Sequence, residues 1–498
     1  MGQAPDGDLL ARLARLGVQL GTEGIGGGGR RGEGDGTDGT DRTNRTHVTD
    51  RPRGSTDAPP LEVDVQRPSA DSSYSSHSSY PSYPPPHPAV LPLEAALPGA
   101  DWPHQTSSCW VTSARRPLDD RHADELLEAG LRACTSSLSA LAGDPALAGM
   151  DLERTAFLDT ETTGLAGGAG TYAFLIGIGR LEGGCFHVRQ FFMRHPGEER
   201  AQLAAVAEWL EGCSGLVTFN GRSFDMPLLA TRCTVHRRRP FLDGAPHLDL
   251  LPAARRVWRR RLESCSLTSL EREILGTHRQ DDVPGWLIPY RYFRYQQDGD
   301  ARPLVGIFHH NLLDILTMVS LTARLARAWQ APEDTLDHGL DWLSLARRYE
   351  LSGDSARAMA ACEGALSRGL SPAETDDALQ QLSLIARRAG DWQRATAVWR
   401  DLAAESQPRR LFPFEELAKY WEHRASPPDL ARALAISLEA HERVASGALR
   451  PRRGVRQSLT ELDHRIARLQ RRLGGGSSGR IEAGKPSPAT RRGEASAS

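Results

Sequence analysis

Between residues 152 and 329 the apolar pattern changes period several times, and this succession restricts the fold more than any other property of the chain. Residues 155–159 read as a strand ending on an acid. Residues 171–181 are apolar with glycines and 186–194 alternate, so both read as further strands. Over 198–210, Leu203, Val206, Ala207 and Leu210 take helical spacing. A short strand at 215–219, a helix at 223–232 and a long helix at 304–328, closed by Pro332, complete the series. Strands first, then alternating helix and strand, predict an α/β domain over 151–330, with a mixed central sheet flanked by helices.

The flanks differ in texture. Residues 1–100 are expected to be largely disordered: 24–39 are glycine-rich and charged, and 72–88 are rich in Ser, Tyr and Pro. Such stretches bury too little apolar surface to offset their ordering entropy. Residues 101–150 read as a poorly defined lead-in with a helix over 122–141. From 336 to 472 the pattern is all-α and repeats. Trp342, Leu345, Ala346, Tyr349, Gly353, Ala358, Cys362 and Ala365 have the spacing of a tetratricopeptide unit. Leu379, Leu382, Ser383, Ala386, Gly390, Ala395, Trp399 and Leu402 fall at the same intervals, and a weaker copy runs through Leu417, Ala418, Trp421, Ala433 and Ala440. Residues 473–498 read as a disordered tail.

The formal net charge of -2 provides no global basic field, so any nucleic-acid surface must be local. Lys419 and Lys485 are the only lysines. Arg255, Arg256, Arg259, Arg260 and Arg261 cluster on an expected helix, either to grip a phosphate backbone or as a solvated face. Seven scattered cysteines without CxxC spacing read as reduced thiols, and the short piece at 9–20 lacks the apolar run of a signal peptide. No stretch reads as the ~20 apolar residues that span a bilayer. A cytoplasmic protein with no membrane partner is expected.

Three acidic motifs carry the chemistry. In Asp159-Thr160-Glu161, residues two apart on a strand share a face, so two carboxylates stand side by side at a strand end. Their repulsion is relieved by a divalent cation, and hard oxygen ligands suit magnesium or manganese. Asn220-Gly221-Arg222-Ser223-Phe224-Asp225 turns the chain from a strand into a helix whose first turn holds Asp225. In His309-His310-Asn311-Leu312-Leu313-Asp314, His310 and Asp314 are helix neighbours four apart. His247 and Asp249 have the strand spacing of a metal pair, but Asp249 reads better as a helix-start residue.

The ordered set resembles the three motifs of the DEDD exonuclease superfamily, within the ribonuclease-H-like fold. Gly164-Leu165, the run 167–171, Asp282-Val283-Pro284-Gly285 and His310-Asn311 before Asp314 are similar to its YprB-like branch, which also carries helical repeats. The resemblance implies that Asp159, Glu161, Asp225 and Asp314 hold two divalent cations, Mg2+ or Mn2+, roughly 3.5–4 Å apart, with Asp159 bridging. It implies a histidine base. His309 has the spacing of the histidine-type subgroup and is slightly favoured, while His310 takes the place of the tyrosine in the tyrosine-type subgroup; both stay open. Thr162, Asn220 and Arg222 are implied near substrate, although Asn220 reads as a turn residue and Arg222 equally as an exposed arginine. The implied function is a metal-dependent nuclease, an exonuclease acting on single-stranded DNA or RNA ends. The alternative is a nucleic-acid-binding scaffold whose repeats recruit a protein partner.

Overall fold

The computed structural model describes residues 90–164, 170–279, 282–404, 410–451 and 453–474. The low-complexity stretch before residue 90, the glycines at 167 and 168 and the tail from 475 lie outside the described residues.

Seven strands form one sheet in the order β1-β2-β7-β6-β5-β8-β9. These are β1 (Ala100–His104), β2 (Ser107–Pro117), β5 (Thr155–Thr162), β6 (Ala173–Glu182), β7 (Cys185–Phe192), β8 (Gly215–Thr218) and β9 (His247–Asp249). β5 lies antiparallel to β6 and parallel to β8, which lies parallel to β9, so the sheet is mixed. Strand alternation divides β5 between two cores. Ala156 and Leu158 pack with α4 (Glu199–Trp209) and α5 (Asp225–Val235). Phe157 faces the opposite layer with Ile315 and Val319 of α9 (Arg302–Gln330). Asp159 and Glu161 share the parity of Phe157 and therefore look toward α9.

The sheet begins earlier than the sequence boundary at 151, because β1 and β2 extend it through the expected lead-in. Just before them, α1 (Leu93–Ala96) buries Leu93, so residues 91–100 belong to the folded body. The helix expected over 122–141 is not continuous. It is a small hairpin of β3 (Arg121–His122) and β4 (Glu125–Leu126), followed by α2 (Leu127–Leu131) and α3 (Thr135–Ala142). Glu125 is buried and accepts from Arg324 at 2.7 Å and from Arg327, so tertiary ion pairing on α9 overrides local helical spacing.

α6 (Leu250–Trp258), α7 (Leu267–Glu273) and α8 (Ile288–Asp298) precede α9. Contrary to the sequence expectation, α9, with 29 residues, is long and apolar enough to cross a membrane. Its most apolar stretch is 61% buried, packed against the sheet, α2 and α3.

The remaining chain is helical: α10 (Gly339–Leu351), α11 (Ser355–Leu366), α12 (Pro372–Ala389), α13 (Trp392–Ala404), α14 (Phe412–His423), α15 (Leu430–Ala445) and α16 (Val455–Gly474). Each packs chiefly on its sequence neighbours. Gly353 and Gly390, at φ 87° and 82°, turn the chain within the first two hairpins. One apolar core runs from Leu127 through Ile315 to Ile385. The first helices of this region are therefore continuous with the α/β layer, not tethered to it.

Candidate metal centre

The site forms where β5 leaves the sheet. Four residues lie abreast across it: Thr112 of β2, Gln190 of β7, Gly177 of β6 and Asp159 of β5. Thr112 donates to Gln190 Oε1 at 3.0 Å. Gln190 Nε2 donates to Asn311 Oδ1 at 2.9 Å and to the Phe308 carbonyl at 2.7 Å. Asn311, fully buried on α9, then donates its Nδ2 to Asp159 Oδ2 at 2.8 Å. Gly177 makes room for this relay, since a Cβ there would sit 2.0 Å from Asn311 Oδ1. The neutral chain from Thr112 to Asn311 fixes one carboxylate oxygen and leaves the other for the site.

Glu161 follows on the same face. Its Oε1 lies 4.0 Å from His310 Nε2, which is 3.4 Å from Asp314 Oδ2. Ligand atoms of Glu161, His310 and Asp314 all lie within 4.8 Å of one another. Asp225 enters from the first turn of α5, where the positive helix end favours an anion. Thr160, on the other face of β5, donates to Asp225 Oδ1. Asp159 and Asp225 border the trio, and each has one oxygen already engaged.

Crowding of these anions shows in their titration. Burial pushes the Asp159 carboxyl well above its ordinary range, and the charges of Asp314 and Asp225 push it further. Glu161 is raised in the same way, by burial first and then by Asp159, Asp314, Asp225 and Asp282. Burial lifts Asp225 to about 6 against the opposing Thr160 hydrogen bond. Clustered carboxylates that resist ionisation mark a place short of positive charge.

Arg279, which the sequence reading did not single out, is the guanidinium of this place. Its Nη2 donates to Asp314 Oδ1, and its Nε and Nη2 grip Glu271 at 2.7 and 2.5 Å. Burial opposes its charge, but Asp314 and Glu271 outweigh burial and hold it firmly protonated. Asp282 was visible in the sequence only as part of Asp282-Val283-Pro284-Gly285. Its Oδ1 lies 2.7 Å from His310 Nδ1. Arg279 Nη1 also approaches Nδ1, at 3.3 Å. The shorter carboxylate contact favours a proton on Nδ1 directed at Asp282, leaving the Nε2 lone pair facing Glu161 and Asp314.

The other candidates lie as follows. His309, favoured by spacing, sits one residue round α9, is exposed, and has no hydrogen bond among the described residues. Asn220 turns the chain at φ 64°, and its backbone N–H donates to Asp249 Oδ1 at 2.8 Å. Asp249 also accepts from the Arg222 N–H at 3.2 Å and caps α6 through Leu251 N at 3.1 Å. The Arg222 side chain pairs with Asp144 at 2.9 Å. Thr162 Oγ1 donates to the Gly164 carbonyl at 3.0 Å, closing the turn that leaves β5. His247 bonds Thr218 Oγ1 at 2.8 Å and stays outside the acid cluster.

An RNase H superfamily model matches residues 156–326, the segment that holds every member of the cluster. The chain is 30% identical over 371 residues to the uncharacterized protein YprB of Bacillus subtilis (strain 168), covering 73% of this chain and 86% of that protein. The chain belongs to the YprB family. Its central domain is of the RNase H superfamily, and the YprB alignment, longer than that domain, extends beyond its bounds. The oxygen-rich set of carboxylates, with the His310 imidazole beside it, fits a hard divalent cation.

Proposed function

We propose that this YprB-family chain is a metal-dependent nuclease that hydrolyses phosphodiester bonds, and specifically an exonuclease on single-stranded DNA or RNA ends. The observation that carries it is the convergence of Asp159, Glu161, Asp225 and Asp314, from three elements, around His310. Asp159, Glu161, Asp225 and Asp314 would hold two divalent cations, Mg2+ or Mn2+, which supply Lewis-acid stabilisation of the attacking and leaving oxygens when bound. The relay through Gln190 and Asn311 holds Asp159 in one orientation. Asp282 orients the His310 imidazole, and Nε2 takes the proton of the attacking water. Arg279 limits the swing of Asp314 while Glu271 anchors Arg279. Thr162, Asn220 and Arg222 shape the rim on which a substrate strand would rest. The seven free cysteines support a reducing, cytoplasmic setting.

One observation favours a second reading. Arg279 already neutralises Asp314, so the domain would bind nucleic acid without cutting it, and tetratricopeptide-like hairpins would recruit a protein partner. End-labelled DNA and RNA incubated with the protein, with magnesium or manganese and with chelator, separate the two. Metal-dependent shortening of one substrate supports the nuclease. Tight binding with no shortening under any metal supports the scaffold and removes the nuclease.

A further inference from the structure

The arginines of α6 do not face empty solvent. They meet α10, the first helix of the helical region, across an open cleft of about 620 Å³. Six arginines line it: Arg255, Arg256, Arg259 and Arg260 from the end of α6, with Arg347 and Arg348 from α10. Among the described residues no carboxylate lines it; the other lining side chains are Leu343, Ser344, Leu351 and Gln381. Arg255, Arg256 and Arg259 have no acidic partner among the described residues, Arg260 reaches Asp377 only at 3.8 Å, and Arg347 pairs with Glu350 at 2.7 Å. Burial, followed by the charges of Arg256 and Arg347, lowers the affinity of Arg348 for its proton; its Nη2 donates to the Ala140 carbonyl at 2.8 Å, while its buried Nε has no partner among the described residues. Like charges gathered this closely destabilise the free protein, and a bound anion removes that cost.

The cleft is not isolated. Arg260, Arg347 and Gln381 also line a larger cleft of about 1190 Å³ between α12, α14 and α16. Arg410, Arg450 and Arg453 continue the basic lining there, beside the aromatic ring of Phe412. The inner surface therefore passes from an acid-free arginine cluster into one where arginines alternate with Asp377, Glu350 and Glu461. A single phosphate would not use such length. A polymer with a charge at every unit would, and planar guanidinium forks match phosphate oxygens two at a time.

We propose that the cleft between α6 and α10 binds the phosphate backbone of a single-stranded nucleic acid, making the helical region a guide for the strand. The proposal rests on the nuclease reading for the identity of that strand. The helical region contacts nucleic acid directly, in addition to any protein it recruits.

The test uses the full chain in chelator, with a fluorescent single-stranded oligonucleotide followed by anisotropy across a salt series. Three variants are compared: wild type, Arg255→Gln/Arg256→Gln/Arg259→Gln, and the same three positions changed to Lys. Among the described residues these arginines have no ion-pair partners, so their replacement breaks none of the described salt bridges. Loss of three phosphate contacts lowers the slope of log K against log salt by about 2 and weakens binding by at least about tenfold at moderate salt. The Lys variant keeps most of the slope. An unchanged slope and affinity in the Gln variant overturns the proposal. Equal competition by polyglutamate and by unlabelled oligonucleotide also overturns it, in favour of an acidic protein. Cleavage by the wild type with magnesium or manganese is read alongside. Cleavage with groove-independent binding sinks the guide and keeps the nuclease, whereas groove-dependent binding with no cleavage sinks the nuclease and keeps the cleft.

Discussion

The two adjacent histidines of α9 separate by helix phase alone. A step of about 100° per residue turns His309 to solvent while His310 faces Glu161 and Asp314. His310→Gln is expected to lower the cleavage rate by about 10²–10⁴-fold, the usual contribution of a general base, and His309→Gln by less than about threefold. Single-turnover rates on an end-labelled strand check this, and equal losses would contradict a single base. Asp159→Asn should abolish cleavage without lowering the melting temperature at pH 8, because it removes an anion that burial, Asp314 and Asp225 all disfavour. Calorimetry of the metal-free variant is the check, and a large drop in melting temperature would mean Asp159 is structural. The acids and both histidines were legible in the sequence because strand and helix periods fix which residues share a face. Arg279, Gln190 and the role of Asp282 were not, because each acts through a contact between segments remote in sequence, which no local pattern records.

Among the elements, β6 carries a constraint that its apolar pattern does not reveal. Gly177 is needed because Asn311 crosses the sheet above it, so Gly177→Ala forces the amide away from Asp159. Overpacking of this kind costs about 1–3 kcal/mol, and the displaced amide no longer holds the carboxylate. Reduced denaturant midpoint together with reduced activity is expected; a silent substitution would mean the relay is slack. The short strands β3 and β9 bear on acid stability. Burial, then Arg279 and Arg116, lowers His122 to about 4, and burial, then Arg222, lowers His247 to about 4. Both are depressed below the ordinary 6.5 of an unfolded chain, so the unfolded state binds more protons between those values. The contribution of these two histidines to stability is full above about pH 6.5 and declines as pH falls toward 4. Replacing both with Gln should flatten that decline in urea titrations at successive pH values. The main strands and α9 were readable from their periods, whereas the β3–β4 hairpin was hidden because a buried Glu125 ion pair overrides a helical pattern.

At the scale of the whole molecule, one core links the sheet to the helices through Leu343, Leu345 and Ile385. The sequence showed a change of texture near residue 336, but a shared core leaves no mark in local pattern, and neither does the opening of the first two strands before residue 151. The continuity places the α6 arginines against α10 and makes the carboxylate end of β5 and the basic cleft parts of a single body. The proposed cleavage depends on that carboxylate end being a cation site. Binding of Mn2+ to the full chain, followed by electron paramagnetic resonance in the wild type and in Glu161→Gln/Asp314→Asn, tests it most directly. Saturable binding by the wild type, weakened at least about tenfold in the double variant, is predicted, since the two lost ligands together remove more than about 1.4 kcal/mol. Manganese binding that is the same in both proteins would contradict the account.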